Sequence, residues 1–286
     1  VQEGIRPHVF ICASSDVWRI KDILDKVHCH EVDLTRPDTF KKIVAAIKPT
    51  IIYHLAAHGA YSFQNDAQKI MAVNVAGTLN LLEALEDVPY KLFVNTGSSS
   101  EYGFKLKPMQ ETDVLEPASF YAVAKSAQTL LCQHMARLRQ KNIVTCRLFS
   151  VYGPYEEPSR LVPTLIRSCL SGNNLNMVSP QTARDFIYVD DIVDAYLGVD
   201  QLMEQTGEVF NLGSGIQTTV KEITEQVLCL TKAEVKVNWQ GMPARSWDTD
   251  KWVGNITKAR TKLGFIPTTS LQEGLSKTIA WVKAHG

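Results

Sequence analysis

"TIIYHLAA", residues 50–57, is a nearly continuous apolar run bounded by Pro49 before it and by His58-Gly59 after it. A strand with one wet face alternates apolar and polar residues, whereas a strand covered on both faces does not. This run follows the second pattern and reads as a strand inside a parallel sheet. Outward from it the same unit repeats. Downstream come a long helix, DAQKIMAVNVAGTLNLLEAL (66–85), the strand KLFVNTGS (91–98), the helix FYAVAKSAQTLLCQHMARLRQ (120–140) and the strand NIVTCRLFSVYG (142–153). Upstream lie the strand HVFICAS (8–14), a helix VWRIKDILDKV (17–27), the strand HCHEVDL (28–34) and the helix TRPDTFKKIVAAIKP (35–49). In this last helix Thr35 reads as the N-cap, and Phe40, Ile43, Val44 and Ile47 share one stripe. Strands alternating with helices of this length give right-handed βαβ units, hence an α/β fold with a doubly wound parallel sheet.

After Gly153-Pro154 the strict alternation lapses. Pro154, Pro158, Pro163 and Pro180 punctuate shorter elements, ending in an amphipathic helix near LQEGLSKTIAWVKAH (271–285). The order of strands carries a further expectation. A Rossmann sheet runs 3-2-1-4-5-6, with its first strand at the centre. If 8–14 is strand two and 50–57 is strand four, strand one is missing, and a gap of roughly 9–10 Å would separate two unpaired edges. The expectation is a longer native polypeptide whose upstream segment carries strand one, a glycine-rich turn and most of a helix ending at residues 1–4.

Composition narrows the classes. The chain has 286 residues, is 45% hydrophobic and has zero formal net charge, with its basic residues scattered. Nothing suggests a polyanion-binding face, so nucleic acid is not an expected partner. No apolar run is long enough to span a bilayer, and no membrane association is expected. The six cysteines form no C-x-x-C pair, and most fall in apolar patterns, which fits buried free thiols of a cytoplasmic protein. "HCHE" (28–31) offers metal-capable groups, but alternation sends neighbours to opposite faces, so no metal site is expected.

"FYAVAKSA" (120–127) places Tyr121 and Lys125 four apart, on one helix face. A phenol titrates near 10, and a neighbouring ammonium lowers that value toward the range of a general acid/base. A lone Y-x-x-x-K pair is weak; its setting strengthens it. "NTGSSSEYG" (95–103) puts Ser98 at the carboxyl end of the preceding strand, where open α/β sheets hold their ligands.

The combined pattern resembles the extended short-chain dehydrogenase/reductase family, in particular its NAD(P)-dependent nucleotide-sugar epimerases, dehydratases and ketoreductases. The matching segments run in family order: VDL (32–34), HLAA (54–57), NVAGTLNLLEA (74–84), the serine-rich strand end, YAVAK, RLFSVYGP (147–154), RDFIYVDDI (184–192), FNLGSG (210–215) and ITKARTKLGF (256–265). The resemblance implies a dinucleotide-binding Rossmann domain over 1–153, N-terminally incomplete, and a smaller, mainly substrate-binding lobe over 154–286, partly interleaved with it. It also implies roles. Tyr121 is the acid/base, Lys125 tunes it and holds the nicotinamide ribose, and Ser98 orients the sugar. Ser14, Ser15, Asp33, Leu34, Leu55, Ala56, Ala57, Asn74 and Leu148 line the cofactor. Ser99, Ser100, Ser150, Arg184 and Arg245 face a nucleoside-diphosphate sugar. A homodimer through the helices of Asn74 and Tyr121 is implied as well.

Three departures from the family pattern bear on function. The run Cys12-Ala13-Ser14-Ser15 lacks the acidic residue of NAD-preferring members, and Ser14, Ser15 or Arg19 could take a 2′-phosphate, which tilts the expectation toward NADP over NAD although Asp16 is close. Ser150 stands where asparagine is usual. Ser99 and Ser100 occupy the positions of the dehydratase acids, unless a one-residue slip brings Glu101 there. Hydride transfer at C4 is expected, by a ketoreductase of a 4-keto-6-deoxy sugar nucleotide ahead of a 4-epimerase, and either ahead of a 4,6-dehydratase or a non-catalytic, cofactor-bound regulator.

Overall fold

Two short parallel strands, β1 (His8–Ile11) and β2 (His28–Glu31), pair with His8 opposite His28. Helix α1 (Lys41–Ile47) leads into β3 (Ile51–His54), the core of the apolar run. A long helical segment follows as α2 (Ala67–Met71), a π turn (Ala72–Ala76) and α3 (Gly77–Ala84). Then come β4 (Leu92–Ser98), the twenty-residue α4 (Phe120–Arg139) and β5 (Ile143–Leu148). The structure is a computed structural model and describes residues 4–243 and 248–285.

The later chain supplies β6 (Ser150–Tyr152), α5 (Leu161–Leu170), β7 (Leu175–Met177), β8 (Ala183–Tyr188), α6 (Val189–Leu197) and α7 (Val199–Met203). After these lie β9 (Val209–Leu212), β10 (Gln217–Thr219), α8 (Val220–Thr231), β11 (Val237–Trp239), α9 (Thr257–Leu263) and α10 (Leu271–His285). The main sheet is parallel in the order β3-β4-β5-β9, so a strand from beyond residue 200 completes it. Strands β1 and β2 form a separate pair, and among the described residues no strand joins β1 to β3. The parallel order β3-β4-β5-β9, with helices between its strands, is that of the expected Rossmann-type α/β fold.

Both faces of the main sheet are covered, which explains its apolar strands. Phe40, Leu81, Leu85, Phe93, Cys132 and Ile143 pack on one face, and Leu92, Val94, Ile192, Phe210 and Ala259 on the other. A fully buried side chain such as Phe93 contributes about 1.5–3 kcal/mol. A third core, built on Leu165, Ile166, Ile223 and Leu275, holds α5, α8 and α10 together. Asp185 ties this region to the sheet. Its buried carboxylate accepts from Ser214 N and Oγ (both 2.7 Å), Gly215 N (3.1 Å) and Gly254 N (3.0 Å), so RDFIYV and FNLGSG form one unit.

Several expectations need correction. The helix expected over 17–27 is a 3-10 turn, Lys21–Lys26, that buries none of its side chains and so lacks the packing that stabilises a helix. Thr35 is no N-cap: its hydroxyl donates to Asp33, and α1 starts six residues later, after Phe40. The strand expected over 142–153 breaks at Phe149, because β6 leaves the sheet to pair with β8. Cys12, Cys29 and Cys229 are exposed, and only Cys132, Cys146 and Cys169 are buried. In β2, His28 and His30 both stack on His8, with 2.8 Å between His8 Nδ1 and His30 Nε2. Among the described residues no cluster of three or more groups suits a metal ion, and no helix is long and apolar enough to cross a membrane. Of the helix tail expected at 1–4, residues 1–3 lie outside the described residues.

Candidate active site

The carboxyl ends of β1, β3, β4 and β5 open on one edge of the fold. Ser14 and Ser15 follow β1 and are exposed, and Leu55, Ala56 and Ala57 follow β3 and are exposed. Small side chains at parallel strand ends leave room for a flat, extended ligand. Asp33 and Leu34 follow β2; the Asp33 carboxylate accepts from Thr35 N (2.9 Å) and Oγ1 (2.7 Å), which hold it below the usual carboxylate range.

Asn74 sits in the π turn, a helical irregularity common at functional sites. Its amide is fully buried and clamps the loop after β3, accepting from His58 N (2.8 Å) and donating to His58 O (2.7 Å). Beside it, His54 Nε2 meets Thr78 Oγ1 at 2.8 Å, and Thr78 donates to Asn74 O. Burial, helped by the Lys125 charge, lowers His54 to about 3, so its ring is neutral. An unfolded histidine titrates near 6.5. This group's stabilisation is therefore complete above pH 6.5 and is lost as pH falls below it, about 2 kcal/mol by pH 5. The loss of unfolding free energy between pH 7 and pH 5, measured in urea, is expected to be about 2 kcal/mol greater in the wild type than in His54→Asn; equal losses would contradict it.

Ser98 is the last residue of β4 and caps the 3-10 turn Ser99–Tyr102. Its Oγ accepts from Ser100 N (3.2 Å), and its own N–H donates to Glu101 Oε1 (2.8 Å). Tyr121 lies in the first turn of α4, which Ser119 caps by accepting from Ala122 N at 3.1 Å. Burial raises the Tyr121 phenol above its usual value. The neighbouring Ser98 hydroxyl and the Arg160 charge act downward, while Glu101 and Tyr61 act upward. The expected lowering by Lys125 is not the governing effect. The Lys125 ammonium is buried and donates to Thr96 O and to Gln128 Oε1 (2.6 Å), and Gln128 in turn donates to Asn95 Oδ1 (2.8 Å). Burial brings Lys125 down to about 8. A hydroxyl and a phenol brought together at a strand end can pass one proton to or from a substrate C–O group.

The remaining candidates divide. Ser99 turns inward, its hydroxyl accepting from Trp252 Nε1 at 3.1 Å, whereas Ser100 is half-buried. Leu148 and Ser150 flank the break after β5 and are also half-buried. Arg184 donates to Ala183 O, pairs with Asp248 (3.6 Å) and lies over the Trp252 ring. Arg245 lies outside the described residues. Arg19 donates to Tyr155 O (2.8 Å) and pairs with Glu157 (3.2 Å), so its guanidinium is already committed. Glu101 is fully buried with its oxygens on Ser98 N and Arg147 Nε, which removes it as an acid at a sugar's leaving hydroxyl.

Two neighbours of Tyr121 escaped the sequence reading. Arg160 precedes α5 and pairs with Glu156 at 3.0 Å, and Tyr61 stacks on Phe63. Both lie in segments whose only sequence signal is an irregular, loop-like composition.

A doubly wound α/β sheet with open strand ends at its carboxyl edge is an arrangement that can hold a dinucleotide. Residues 6–213 match the NAD dependent epimerase/dehydratase family, and the chain belongs to that family. It is 32% identical to UDP-glucuronate 4-epimerase 3 of Arabidopsis thaliana over 272 residues, 88% of this chain and 63% of that protein. The chain thus spans less than two thirds of the length of the first curated relatives it matches. It superposes on UDP-glucose 4-epimerase from Thermotoga maritima with a TM-score of 0.91 at 26% identity, covering 99% of this chain and 92% of the other. UDP-glucuronic acid 4-epimerase from Bacillus cereus, in complex with UDP-glucuronic acid and NAD, gives 0.85 at 25% identity, with 97% and 90% covered.

Proposed function

We propose that the protein inverts C4 of a uridine-diphosphate sugar in an NAD-dependent reaction. The observation that carries this reading is the placement of Ser98, at the carboxyl end of β4, beside Tyr121 in the first turn of α4, in a fold shared with 4-epimerases. Tyr121 takes the proton of the sugar's 4-hydroxyl and gives it back to the same oxygen once the keto sugar has presented its other face to the hydride donor. Ser98 holds the same oxygen in line. Lys125, one helical turn on, is proposed to turn from Thr96 O and Gln128 to the nicotinamide ribose when the cofactor is bound. Ser14, Ser15, Asp33 and Leu34 meet the adenosine, Leu55, Ala56, Ala57 and Leu148 line the channel, and Asn74 keeps its wall in place. NAD, when bound, accepts the C4 hydride and gives it back. Arg184 serves the diphosphate, where a guanidinium fork suits phosphate oxygens; Arg245 is proposed for the same task. Ser100 and Ser150 face the sugar.

The sequence-based preference for NADP and for a 4-ketoreductase gives way here. Arg19, the side chain best suited to a 2′-phosphate, is held by Tyr155 and Glu157, and the relatives named above are 4-epimerases. Incubation of the protein and NAD with UDP-glucose or UDP-glucuronate is expected to yield the C4 epimer without net reduction of cofactor. Stoichiometric NADPH consumption with a 4-keto-6-deoxy sugar nucleotide, and no epimer, would replace this reading with the ketoreductase. The working form is a homodimer through α2 and α4, whose Met71, Phe120, Val123, Leu130 and Leu138 are exposed; a monomeric mass in sedimentation would refute that part.

A further inference from the structure

We propose that Glu101 is a positioning residue whose carboxylate, anchored by Arg147, holds the Ser98 turn against the Tyr121 phenol. This rests on the reading of Ser98 and Tyr121 as the reacting pair. Glu101 is fully buried, although a carboxylate at such a depth is costly unless paired. One oxygen accepts from Ser98 N at 2.8 Å and the other from Arg147 Nε at 2.8 Å. Arg147 comes from β5, is itself buried, lies over the Tyr102 ring at 4.6 Å and leaves Nη1 with no hydrogen-bond partner. Tyr102 then donates to Asn211 Oδ1 at 2.6 Å, so the pair is fixed by three strands' worth of structure: β4, β5 and β9.

The space for this pair is set by Gly97. A Cβ there would sit 2.8 Å from Glu101 Oε1 and 3.0 Å from Arg147 Cγ. The residue before the catalytic serine is thus small because the ion pair runs directly behind it. The arrangement also has an electrostatic consequence. The charged and titratable groups acting on Tyr121 are Glu101 from the turn, Arg160 ahead of α5 and Tyr61 from the loop after β3, while the Lys125 ammonium on the same helix is turned to Thr96 O and Gln128; the Glu101 charge favours the protonated phenol.

Two variants separate position from charge. Glu101→Gln offers a single amide oxygen to two donors and removes the negative charge. It is expected to lower kcat about tenfold or more, to leave KM for the sugar nucleotide within about threefold, and to shift Tyr121 ionisation about one pH unit downward. That ionisation is read without turnover, as the tyrosinate absorbance difference between each protein and its Tyr121→Phe counterpart. Gly97→Ala keeps the charge and displaces the carboxylate, so kcat falls while the titration stays put. A folded Glu101→Gln protein with wild-type kcat and unchanged titration overturns the proposal. Should that variant fail to fold, wild-type kcat in folded Gly97→Ala overturns it equally. If Tyr121→Phe itself remains active, the reading of the reacting pair fails, whereas the titration still reports on Glu101.

Discussion

Tyr121→Phe is expected to lower kcat by about 10²–10⁴-fold while leaving the fold and the affinity for the sugar nucleotide nearly unchanged. The phenol oxygen is the only part of Tyr121 that the substitution removes, and the ring stays in the first turn of α4 with its cap, Ser119, in place. Burial raises this phenol, so at neutral pH the free protein holds it mostly protonated. Proton removal from the sugar then requires the deprotonated form, and kcat/KM is expected to rise with pH along a limb that reports Tyr121. Tyr121→Phe should abolish that limb together with the rate. Wild-type turnover in the variant would place the acid/base elsewhere.

Gly103→Ala is expected to destabilise the protein by about 3 kcal/mol, through backbone strain and overlap together. Gly103 ends the turn that begins at Ser98, with φ of 68° and ψ of −147°, a region reached almost only by glycine. A Cβ there would lie 1.9 Å from Glu116 O and 2.8 Å from its carbon, both backbone atoms with nowhere to move. Glu116 N donates to Tyr102 O at 3.3 Å, so relief of the overlap would pull the Ser99–Tyr102 turn out of place. The loss should appear in the denaturant midpoint, with kcat falling in parallel because Ser98 belongs to the same turn. A shift under about 1 kcal/mol would show that the turn tolerates a side chain.

Much of this fold could be read from periodicity because both faces of the sheet are covered. Leu92, Phe93 and Val94 are buried in succession, and such a run can hardly be anything but an inner parallel strand. The failures have the same physical root. Residues 17–27 carry helix-compatible composition, yet none of Lys21–Lys26 is buried, and only a 3-10 turn forms. The break at Phe149 depends on β8, a partner that lies 35 residues further on and cannot be sensed locally. At the candidate site, spacing and strand ends single out Tyr121, Lys125 and Ser98, and the structure places Ser98 at the end of β4 and the other two on α4. The direction of the Lys125 ammonium was not, because it depends on Gln128 and on a main-chain carbonyl of β4. Glu101 was visible only as an acid near a serine. Its true setting needs Arg147, 46 positions away, which sequence spacing does not reveal.

The account's central claim is that one carbon gives up and regains the same hydride while Tyr121 handles the proton. A UDP-sugar carrying deuterium at C4 tests it most directly, incubated in ordinary water with the protein and NAD and followed by NMR. Retention of deuterium at an inverted C4 is the predicted result. Loss of the label to solvent, or inversion at a different carbon, would contradict it.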